Sequence, residues 1–83
     1  MTEAEVEAVL AKLRAGERYE ASSPSEGVRK TYEWSGPEQG VVVTSYDGYS
    51  GDEPRVEVRS ADSFQADLRR FPYTRMARWA RER

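Results

Sequence analysis

Val6, Val9, Leu10 and Leu13 recur at i, i+3, i+4 and i+7, so they line one side of a helix while charged residues fill the other. Thr2 followed by Glu5 fits a capping box, and Glu3, Glu5 and Glu7 place negative charge where a helix dipole favours it. Lys12 and Arg14 suit the last turn, and Gly16 is placed to end it. Residues 17–22 supply an optional short strand, broken by the Pro24-containing loop from Ser22 to Gly27.

At Val28 the period changes from 3.6 to 2. Val28, Lys30, Tyr32 and Trp34 fall on one face and Arg29, Thr31 and Glu33 on the other, which predicts a half-buried strand with one inward lysine that snorkels past a sheet edge. A turn over Ser35–Gly40 leads into Val41–Tyr46, a β-branched run apolar on both faces that suits a central strand. The segment 47–54 reads as a loop. Arg55–Ser60 alternates again, with Val56 and Val58 expected inward and Arg55, Glu57 and Arg59 outward. On this reading the outer sheet face carries Arg29, Thr31, Glu33, Arg55, Glu57 and Arg59, joined by Val42, Thr44 and Tyr46.

A second helix follows, capped by Ser60 or Asp62, with Phe64, Leu68 and Phe71 at i, i+4 and i+7. Pro72 ends it. Thr74 is then placed to cap a last segment over 75–82, whose apolar members are Met76, Trp79 and Ala80. The expected fold is α+β, with the order α-β-β-β-α, one optional strand and one optional C-terminal helix. Its antiparallel meander of three to four strands is covered on one face by the N- and C-terminal helices, a two-layer sandwich. Residues 1–83 form one small domain, with 72–83 as a basic tail.

Composition narrows the chemistry more than the fold. Nine aromatic residues offset a charged fraction of 34% and argue against disorder from end to end. The chain has no cysteine and no histidine. That removes Ser–His and Cys–His nucleophile pairs and ordinary zinc sites, so no metal, no cofactor and no enzymatic activity are expected. The missing cysteines favour a reducing, cytoplasmic setting, and no apolar run is long enough to span a bilayer.

Net charge is −2, unevenly placed. Residues 1–68 carry 14 acidic and seven basic side chains, whereas 69–83 carry six arginines and one glutamate. Two candidate contact patches follow. The first is the loop around Tyr46, Asp47, Tyr49, Asp52 and Glu53, where tyrosines offer contact area at low entropic cost beside acidic groups. Its acids lack the order of a calcium loop. The second is Arg75, Arg78 and Trp79 on the tail. Either these residues meet a partner, or Trp79 and Met76 close the core while the arginines pair with Glu3, Glu5 or Glu7. The leading functional expectation is a small protein-binding regulator, inhibitor or adaptor. Nucleic-acid binding through the arginine-rich tail is the alternative, weakened by the acidic overall balance.

Overall fold

A computed structural model describes residues 1–23, 27–48 and 53–82. Helix α1 spans Glu3–Arg14, and the capping box forms as expected: the Glu5 amide donates to Thr2 Oγ1 at 3.2 Å and the Thr2 amide donates to Glu5 Oε1 at 3.0 Å. Four strands follow, β1 (Tyr19–Ser23), β2 (Val28–Trp34), β3 (Val41–Asp47) and β4 (Arg55–Arg59), then helices α2 (Ala61–Arg70) and α3 (Thr74–Arg81). The strands pair antiparallel in the order β1-β2-β3-β4, so the optional strand belongs to the sheet and the meander has four members. The arrangement is the expected α+β sandwich with its helices on one face.

The core lies between sheet and helices. Val6, Val9, Leu10 and Leu13 of α1, Phe64 and Leu68 of α2, and Met76 and Ala77 of α3 meet Tyr19, Val41 and Val43 of the sheet, all buried. Aromatic rings tie the layers together: Tyr19 lies 5.2 Å from Trp79 and 5.7 Å from Tyr32, and Tyr32 lies 6.1 Å from Phe64, centroid to centroid. Such contacts suit a small core because each ring buries a large area. The principal helical neighbour of α1 is α3.

Three local expectations are corrected. Phe71 is the extended residue closing α2 and is 46% exposed, because the helix stops before its third apolar position can turn inward. Its ring meets Tyr73 edge-on at 6.2 Å. Thr74 is the first residue of α3 and does not cap it; Tyr73 holds the cap position in a left-handed conformation, φ 36°, without a side-chain cap. That backbone state costs a non-glycine residue about 1–2 kcal/mol.

The third correction concerns β4. Register places Val58 opposite Val42 and Val56 opposite Thr44, while Glu57 stands opposite Val43 and Arg59 opposite Val41. Paired residues share a face, so Val56 and Val58 are on the open side and Arg55, Glu57 and Arg59 on the helix side, the reverse of the expectation. As the outermost strand, β4 keeps its inward positions near the rim, where water reaches Glu57. Arg59 runs beneath α2 to form an ion pair with Asp67 and to donate to Ser63 Oγ at 3.1 Å.

Candidate binding surface

The open face of the sheet divides into two halves. Toward β1 and β2 it is charged but internally matched. Arg18 pairs with Glu33 and Arg29 with Glu20, each at 3.5 Å. Thr31, between them, is 7% exposed, shielded by these longer neighbours. Toward β3 and β4 the surface turns apolar. Val42 and Val58 form one cross-strand pair, Thr44 and Val56 the next. Tyr46 continues β3 beyond them, with the Arg29 guanidinium 4.6 Å from its ring centre. Val56 is 65% exposed and Val58 56%, high for valines on a regular strand.

The first sequence-derived patch is placed in part. Tyr46 lies on the open face, and its edge joins Val28, Lys30, Ser45, Asp47, Glu53 and Arg55 around a cavity of about 350 Å³ at the end of the sheet. Asp47 and Glu53 are both exposed there. Tyr49 and Asp52 lie outside the described residues. Lys30 is exposed on the helix-facing side of β2, an interior strand, where it shares a small cavity with Tyr32, Asp67 and Tyr73.

The second patch divides. Trp79 packs against Tyr19, and Lys12 both covers its ring at 4.9 Å and donates from Nζ to its carbonyl oxygen at 2.7 Å. Arg75 and Arg78 are exposed and form no ion pair among the described residues. The expected arginine–glutamate pairing across the terminal segments is made by Arg69 of α2, whose Nε donates to Glu3 Oε1 at 2.6 Å. That hydrogen bond holds the Glu3 carboxyl below its usual range.

A second concavity, of about 300 Å³, lies between sheet and helices where Tyr19, Tyr32 and Tyr73 meet Arg75 and Met76. Burial pushes all three phenols above their ordinary pKa. Among the described residues no group of three or more acidic side chains is arranged to hold a metal ion, and no helix is long and apolar enough to cross a membrane.

Val56 and Val58 are the surface residues that sequence reasoning placed on the wrong side. Alternation in Arg-Val-Glu-Val-Arg reveals two faces without saying which one meets the core. No protein-family model, curated protein or solved structure matches the chain.

Proposed function

We propose that this protein is a non-enzymatic protein-binding module, a small regulator, inhibitor or adaptor, which meets its partner through the β3–β4 half of the open sheet face. The observation that carries this reading is the outward placement of Val56 and Val58 beside Val42 and Tyr46. Monomeric proteins seldom display several large apolar side chains together without a use for them, and an apolar patch with an aromatic member at its edge is how many protein interfaces are built. Arg29, Arg55, Asp47 and Glu53 border the Tyr46 end, so the partner that fits presents an apolar patch within a rim of mixed charge. The absence of histidine and cysteine supports a role without catalysis.

The test is capture from lysate, with and without nuclease, using wild type, Val56→Ser/Val58→Ser and Arg75→Ala/Arg78→Ala. Both double variants alter exposed side chains and keep the fold, which circular dichroism checks. The reading expects one protein retained by wild type and the arginine variant but lost with the serine variant. A partner retained by the serine variant overturns it. Nuclease-sensitive binding lost with the arginine variant moves the function to α3 and nucleic acid, a reading supported by the exposed Arg75 and Arg78.

A further inference from the structure

The free edge of β4 has a defined hydrogen-bonding phase. Ser35 donates to the Gly40 carbonyl at 2.8 Å and Gly48 to that of Gly27 at 2.9 Å, which makes 35–40 and 27–48 hydrogen-bonded pairs of the β2–β3 ladder. Such pairs alternate along an antiparallel ladder, so Val42, Thr44 and Tyr46 turn their backbone groups to β2. Val41, Val43 and Ser45 turn theirs to Arg59, Glu57 and Arg55. The amides and carbonyls of Val56 and Val58 therefore point away from the sheet, and among the described residues no strand pairs with them.

Along that edge the side chains on the helix side read arginine, glutamate, arginine, and those on the open side read valine, valine. The pattern is the same in both directions. A second copy pairing antiparallel with all four edge groups of Val56 and Val58 engaged would set Glu57 against Glu57 and Arg55 against Arg59, and like charges directly opposite destabilise a strand pair. A strand with acid, base, acid at the same spacing meets three opposite charges in either orientation. Arg59 is already engaged with Asp67, so discrimination falls mainly to Arg55 and to Glu57, whose ion pair with Arg59 is a long 3.8 Å contact.

We propose that β4 takes an extended segment of a partner protein as a fifth strand. The segment carries alternating acidic, apolar, basic, apolar and acidic residues, its apolar positions extending the row of Val56 and Val58. This rests on the protein-binding reading above and adds the recognition mode: backbone hydrogen bonds supply affinity and side-chain alternation supplies specificity.

The probe is a fluorescein-labelled peptide with the core Glu-Val-Lys-Val-Glu, compared with Lys-Val-Glu-Val-Lys, against the full-length protein. The first is expected to bind about tenfold more tightly, and Arg55→Glu/Glu57→Arg is expected to reverse the order. Amide shifts in the NMR spectrum are expected to centre on Val56 and Val58. Equal binding of the two peptides, shifts centred on α3, or concentration-dependent self-association in place of peptide binding would overturn the proposal. Serine at both valine positions removes the apolar row and keeps the edge backbone. Loss of the captured partner in that variant, together with no preference between peptides, sinks edge pairing while leaving the face reading standing. Retention of the captured partner sinks the face reading whatever the peptides do.

Discussion

Lys12 and Trp79 are 67 residues apart in sequence, yet the lysine ammonium donates to the tryptophan carbonyl and lies over its indole ring. One side chain thus satisfies a carbonyl in the last turn of α3 and makes a cation–π contact, with only 18% of its surface exposed. Hydrogen bonds to charged groups contribute about 1.5–3 kcal/mol. Lys12→Met keeps the aliphatic stem and removes the charge, so it is expected to cost about 1–3 kcal/mol in urea unfolding. The Trp79 emission would shift to the red as the indole gains water.

Gly40 is a second point of dependence. It sits at φ +91° where the β2–β3 turn passes the start of α2, and a Cβ there would clash with the Arg59 carbonyl and approach the Ala61 nitrogen to 2.7 Å. Neither obstacle is a side chain that can swing aside. Gly40→Ala is expected to cost about 3 kcal/mol or more, read as a drop in the thermal midpoint. Gly36→Ala, with a similar φ of +97° but nothing within 4 Å, is expected to cost about 1–2 kcal/mol. Similar losses for the two would show that backbone strain alone sets the penalty.

Stability should bend at both ends of the pH scale, in opposite senses. Tyr19, Tyr32 and Tyr73 hold their protons above the ordinary value of 10.0 because burial penalises the phenolate. Below that value both folded and unfolded chains are protonated and stability is unaffected. Above it only the unfolded chain ionises readily, so stability falls as pH rises through the folded values. Glu3 and Glu5 lie below their ordinary 4.5, the first through its hydrogen bond with Arg69 and the second through the Thr2 amide. Their contribution is present above pH 4.5 and lost as pH falls through the folded values. Urea midpoints measured across the range are expected to be flat near neutrality, and Tyr73→Phe should lessen the alkaline slope.

Phe64 and Phe71 occupy the same predicted stripe but have separate fates. Phe64 is 3% exposed against Tyr32, whereas Phe71 is 46% exposed. Phe64→Ala is expected to cost about 3–5 kcal/mol, and Phe71→Ala about 1 kcal/mol or less. Equal costs in denaturant titrations would mean that Phe71 is packed more deeply than its exposure indicates.

These phenylalanines illustrate what could be read from the chain. The α1 stripe, its capping box and the bounds of β2 were legible because each is a local pattern: a periodicity, a side chain reaching three residues along, a change of period. The sides of β4 were not. Its neighbour β3 is apolar on both faces and gives no cue, and the register depends on a loop whose length is visible but whose path is not. Chance did not put Arg59 inward; Asp67, eight residues later, offered it a partner. Of the candidate surface, Tyr46, Asp47 and Glu53 were accessible to composition-based reasoning, as were Arg75 and Arg78. Val56 and Val58 were not, since burial of valine is the ordinary expectation.

The packing of α1 against α3 sets an order of assembly. The meander joins neighbours in sequence and can form as the chain lengthens, but α1 finds its main helical partner in α3, with the whole sheet and α2 between them in sequence. Until Met76 and Trp79 have left the ribosome, the apolar stripe of α1 has only the sheet and α2 to shelter it. Completion of α3 is thus the step at which the apolar stripe of α1 gains its main helical cover, and a pause in translation just before that point would leave the stripe open to aggregation.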